Sequence, residues 1–116
     1  MIKPPKMNVQ FYKEESGKEP VKKWLRELDK NDRKIIGEDI DSVQERWPLG
    51  MPVVRPLSKG LWEIRSNLNN RIARIMFIIC DGEMILLHAI IKKTQKTPPS
   101  DIVIAKKRAV KYKKLY

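Results

Sequence analysis

The chain has 116 residues and is 41% apolar, enough for one core of modest stability, which predicts a single domain over residues 1–116 with no room for a second. Lys and Arg number 25 against 14 Asp and Glu, a formal net charge of +11 at neutral pH. A surplus of that size repels itself within a compact fold, so it points to a polyanionic partner, RNA first, over a merely basic soluble protein.

The chain opens Met1-Ile2-Lys3-Pro4-Pro5-Lys6 without an apolar leader, and no run is long enough to span a bilayer. The expectation is a cytoplasmic protein with no membrane partner. Met7 to Lys13 alternates loosely, with Met7, Val9 and Phe11 on one side, and predicts a short strand that Ser16-Gly17 ends. Pro20 suits the first turn of a helix, where a missing N–H costs nothing. Val21, Trp24, Leu25 and Leu28 then form an apolar stripe opposite Lys22, Lys23 and Arg26. Asn31-Asp32 reads as a turn and N-cap for a second helix, whose stripe is Ile36, Ile40, Val43 and Trp47 and which Pro48 ends. The two stripes predict an antiparallel helical hairpin covering one face of a sheet.

From Met51 the pattern becomes extended. Val53 to Leu57 is a weak strand, Ser58-Lys59-Gly60 a turn, Leu61 to Ser66 a better strand, and Leu68-Asn69-Asn70 the next turn. Arg71 to Cys80 and Glu83 to Ile91 are long β-branched runs around Asp81-Gly82, the strongest hairpin signal in the chain. Their near-continuous hydrophobicity predicts central strands. Cys80, the one cysteine, has no disulfide or metal-ligand partner and reads as a buried thiol. Lys92 to Ser100 is polar and contains Pro98-Pro99, hence a loop. Asp101 to Leu115 reads as a basic terminal helix with Ile102, Ile104, Ala105, Ala109 and Tyr112 to pack. The order β-α-α-β-β-β-β-α predicts an α+β fold: two N-terminal helices on an antiparallel meander, then a C-terminal basic helix.

Several chemical kits are absent: a glycine-rich phosphate loop, a Cys/His metal set and a nucleophile elbow. The expectation is no cofactor, no metal and a site built from cations. Period-two alternation places Glu63 and Arg65 on one face of their strand, with Trp62 and Ile64 on the other. Arg74 is embedded among apolar neighbours, where it needs an anionic partner or a wet cleft. Two readings stay open: Glu63 forms a salt bridge with Arg65 or Arg74, or the two arginines stand side by side in a groove and fork onto phosphate oxygens. His88, the only histidine, reads as a hydrogen-bonded core residue or as a proton-transfer group. Lys92 and Lys93 emerge at a strand end and Lys96 follows, either a solvated edge or a phosphate contact. Lys106, Lys107 and Arg108, with Lys111, Lys113 and Lys114, look suited to tracking phosphates.

Gly60-Leu61-Trp62-Glu63-Ile64-Arg65, Arg71 to Phe77, and Leu86-Leu87-His88 leading into Lys92-Lys93-Thr94-Gln95-Lys96-Thr97-Pro98 together resemble the RelE/ParE toxin superfamily. Within it the chain is most similar to the phage-derived HigB-like branch, over nearly its whole length. The resemblance implies the toxin half of a type II toxin–antitoxin pair, an mRNA interferase that enters the ribosomal A site and cuts messages without metal. It also implies a helix-turn-helix antitoxin as partner, in a hetero-oligomeric complex. Arg65 and Arg74 match the arginines of the family's concave site, and Lys93 the basic residue after the last strand. Lys92 and Lys96 become accessories, and Lys106, Lys107 and Arg108 RNA contacts. Glu63 and His88 stay open as general base or orienting group, since no C-terminal tyrosine or histidine matches that of some relatives; Tyr112 and Tyr116 sit within or after the basic helix. Relatives of the ParE type bind DNA gyrase and make no cut, and a non-enzymatic RNA- or ribosome-binding protein is the third reading.

Overall fold

Asp81 and Gly82 both take positive φ, 50° and 76°, the backbone that a two-residue hairpin loop of the primed type demands. That turn joins the two longest strands in a computed structural model that describes residues 6–47, 54–93 and 96–115. The elements are β1 (Val9–Phe11), α1 (Pro20–Arg26), α2 (Lys30–Arg46), β2 (Val54–Ser58), β3 (Leu61–Leu68), β4 (Arg71–Cys80), β5 (Glu83–Lys92) and α3 (Pro99–Leu115). The order is the one read from the sequence.

The strands form one sheet in the order β1-β5-β4-β3-β2. From β2 to β5 it is an antiparallel meander, with β4 at its centre. β1 departs from the all-antiparallel expectation: it pairs parallel with β5, Val9 opposite Met84 and Phe11 opposite Leu86. It is also shorter than Met7 to Lys13. β3 runs on to Leu68, placed in a turn by the sequence, because Leu68 is buried and pairs with Arg71. Asn70, at φ 58°, supplies the reversal.

Each face of the sheet has its own core. Ile36, Ile40 and Val43 of α2 and Val21 of α1 meet Ile64, Ile75, Phe77 and Leu86 on one side. Trp47 closes that side, stacking edge-on against Trp62 at 5.2 Å and Phe77 at 5.6 Å. The two helices cover one face of the sheet as expected, and each packs chiefly on it, α1 over β5 and α2 over β3. α2 also begins earlier than expected, with Asp29 at the N-cap. Asp32 lies in its first turn, where it accepts from Arg71 Nη2 at 2.9 Å. The residue expected to end α2, Pro48, and Val53 at the start of the weak strand lie outside the described residues.

On the other face, Ala105 and Ala109 lie one helical turn apart and bring α3 close onto Met76, Ile78, Ile85 and Leu87. Ile104, expected to pack, is 37% exposed, and Cys80 is half-buried at the end of β4. The β4–β5 register shifts between Met76 and Phe77, opposite His88 and Leu86, which leaves Leu87 as an extra residue. A bulge of this kind re-aims side chains. Here Leu87 packs on the α3 side, and so does His88, through its bonds to α3.

Candidate functional site

The β3–β4 turn at Asn69-Asn70 fixes a register that runs from Leu68 opposite Arg71 to Arg65 opposite Arg74. Paired residues share a face, so two guanidinium groups lie side by side on the α3 side of the sheet. One carboxylate sits between them and the fold. Glu63, 1% exposed, accepts from Arg65 Nε at 2.8 Å through one oxygen and from the Thr97 hydroxyl at 2.5 Å through the other. The salt-bridge reading of Glu63 with Arg65 is therefore realised, and both carboxylate oxygens are engaged.

Arg65 keeps 17% of its side-chain surface exposed, whereas Arg74 is fully covered. Burial above all, and then the neighbouring Arg65 charge, push the Arg74 guanidinium below its ordinary pKa, while Glu63 works in the opposite direction. Arg65, Arg74 and Glu63 together are two cations and one anion, a formal charge of +1.

The lysines surround this cluster unevenly. Lys92 pairs with Ile72, two residues along β4 from Arg74, and so shares the cluster's face; it is exposed. Lys93 and Lys96 are also exposed, and the chain then brings Thr97, 4% exposed, back across β4 to Glu63 on β3. Thr94 and Gln95, part of the basic string, lie outside the described residues.

His88 stands apart from that cluster. Its Nε2 lies 2.8 Å from Asp101 Oδ1, and its Nδ1 lies 3.2 Å from Arg108 Nη1. A guanidinium only donates, so Nδ1 is the acceptor and Nε2 carries the proton toward Asp101. Arg108 also donates to the Leu87 carbonyl at 2.8 Å and lies over the Tyr12 ring at 5.6 Å. These groups clasp α3 to the bulge of β5. Both ring nitrogens of His88 are engaged, the arrangement of a hydrogen-bonded residue.

Lys106 and Lys107 are exposed and line a groove of about 950 Å³ together with Tyr12, Glu14, Ile104 and Val110. Arg65, Arg74 and Lys93 lie outside that groove, so the sequence-predicted residues fall into two sets. Sequence reasoning missed Thr97, Asp101 and Tyr12. Only Thr97 lay in a string already singled out, and nothing local distinguished its hydroxyl. Among the described residues, no three His, Cys, Asp or Glu side chains gather to hold a metal ion, and no helix is long and apolar enough to cross a membrane.

Residues 23–110, well over half of the chain and including every member of the cation cluster, match the family described as phage-derived protein Gp49-like (DUF891). No curated protein matches the sequence.

Proposed function

Because the chain belongs to the phage-derived Gp49-like family, we propose that it is the toxin of a type II toxin–antitoxin pair, acting as a ribosome-dependent mRNA endonuclease of the RelE/HigB kind. The observation that carries this reading is the register pair Arg65–Arg74, two guanidiniums on one face with the Glu63 carboxylate bonded to Arg65, and with Lys92 and Lys93 at the adjoining strand end. A solely structural cluster needs no surplus charge. Phosphodiester cleavage does, because its transition state gathers an extra negative charge on the phosphate oxygens.

The chemistry is intramolecular. A ribose 2′-hydroxyl gives up its proton, and its oxygen attacks the adjacent phosphorus in line. The bond from phosphorus to the 5′-oxygen breaks, and the departing oxygen takes up a proton. The products are a 2′,3′-cyclic phosphate and a 5′-hydroxyl. Arg65 and Lys93 face the phosphate and offset its charge, while Arg74 adds its charge from beneath. Glu63 holds Arg65 by Nε and serves as an orienting group, since each of its oxygens already accepts a bond. The ribosome supplies the in-line alignment of the message. Lys96, Lys106 and Lys107 track neighbouring phosphates, an interaction that weakens with salt.

Induced expression is expected to stop protein synthesis before DNA synthesis, as read by pulse labelling. New 5′ ends should appear within reading frames. DNA synthesis stopping first, with double-strand breaks, would favour gyrase binding. Arrest without new ends would leave a ribosome-binding protein that makes no cut.

The antitoxin implied by this reading has two surfaces to use. It masks the Arg65 cluster, or it seats in the groove beside α3, where Ile104 and Val110 stand 37% and 54% exposed among Lys106, Lys107 and Lys114. Exposed aliphatic side chains contribute nothing to phosphate contact and favour the second surface, with acidic and apolar groups on the partner. Hydrogen exchange on the co-purified complex is expected to give protection over residues 101–115 and 12–16. Protection confined to residues 61–93 would instead indicate masking.

A further inference from the structure

Thr97 lies in a polar, lysine-bearing string, and the mechanism above gives it no task. Its side chain is nonetheless almost wholly buried, and its hydroxyl donates at 2.5 Å to a carboxylate that already has a cation, 34 residues away in sequence. A buried Val of the same shape would satisfy packing alone. An O–H donated to a carboxylate is among the stronger hydrogen bonds and fixes the direction of the acceptor.

Glu63 thus receives one donor on each oxygen, Arg65 Nε at 2.8 Å and Thr97 Oγ1 at 2.5 Å, from two different parts of the chain. Its carboxylate plane is set by both. Lys96 is the immediate neighbour of Thr97, and Lys93 is four residues before it. A chain of four residues reaches at most about 14 Å, so anchoring Thr97 also confines Lys93. We propose that Thr97 is a positioning residue: through the Glu63 carboxylate it ties the segment carrying Lys93 and Lys96 to the strand carrying Arg65. The inference rests on the endonuclease reading and assigns Thr97 no contact with RNA.

The test is a double-mutant cycle on mRNA cleavage by purified protein with programmed ribosomes, well below the melting temperature of each variant. Misplacing a catalytic group by about 1 Å costs up to about 10²-fold in rate. Thr97→Val is therefore expected to lower kcat by between about 10- and 100-fold with KM for ribosomes little changed. Thr97→Ser, which keeps the hydroxyl, should restore most of the rate. In a Lys93→Ala background the same Thr97→Val change should cost clearly less, because the tether then has less to place. Should Thr97→Val fail to fold, Thr97→Ala takes its place in the cycle.

Equal losses in both backgrounds, full activity in the valine or alanine variant, or no recovery with serine would each overturn the positioning role while leaving the endonuclease reading intact. A wild-type protein that leaves mRNA whole on the ribosome would overturn that reading and the role of Thr97 with it.

Discussion

Replacing Arg65 by alanine is expected to lower mRNA cleavage by on the order of 10²–10³-fold, the usual consequence of removing one preorganised charge donor from a transition-state site. It has a second effect. Glu63 is 1% exposed, and without Arg65 its charge is left buried beside Thr97 and the covered Arg74. Breaking a buried ion pair by removing one partner costs about 3–5 kcal/mol, and the 17% exposure of Arg65 places this case at the lower end. Activity and stability therefore fall together in the single variant. Adding Glu63→Gln separates them, because a neutral amide in the same place removes most of the buried-charge penalty. Denaturant melts of the double variant should recover toward wild type while cleavage stays lost. Cleavage returning along with stability would mean that Arg65 serves the fold alone.

Arg74 invites the opposite experiment. Arg74→Met keeps much of the volume in an adaptable apolar side chain and removes a charge whose burial already works against it. Exchanging buried charge for apolar groups of similar size is often neutral or stabilising by about 1–4 kcal/mol. Here Glu63 keeps Arg65 as its partner, so no carboxylate is stranded. The melting temperature is expected to hold or rise. Cleavage should nonetheless fall by at least about 10²-fold, because the cluster goes from two cations and one anion to neutrality. A variant that melts higher and cuts nothing is what a site maintained at the expense of stability predicts. Undiminished cleavage would reduce Arg74 to a core residue and confine the site to Arg65 and the lysines.

Local rules carried much of the fold. The Asp81-Gly82 turn gave the β4–β5 pair directly, and the alternation of Glu63 and Arg65 against Trp62 and Ile64 placed both charges on the correct face. The Arg65–Arg74 pairing then follows from a reversal at Asn69-Asn70, equidistant from both. The misses share a cause, which is distance along the chain. Three residues of β1 carry no sign of whether their partner runs parallel, and Met84 lies 75 positions beyond Val9. Asp32 has the local chemistry of a cap but is taken by Arg71, 39 residues on. Leu68 looked like turn because of the asparagines after it, yet burial kept it in the strand. The same holds at the site. The strand arginines were legible from period and turn, whereas the Thr97–Glu63 bond and the His88–Asp101–Arg108 clasp join segments that no periodicity connects.

The parallel pairing of β1 with β5 also imposes an order on biosynthesis. A chain emerging from the ribosome presents β1 first, but its hydrogen-bonding partner is made some seventy residues later. Long closures of this kind come late, since their entropy must be overcome before any contact offsets it. The partners of Glu63 and His88, namely Thr97, Asp101 and Arg108, are later still. The arginines of β3 and β4 are thus synthesised well before the residues that hold their surroundings together. On the proposed activity, a nascent copy stays harmless to the ribosome producing it until Thr97, Asp101 and Arg108 have been made and have reached their partners.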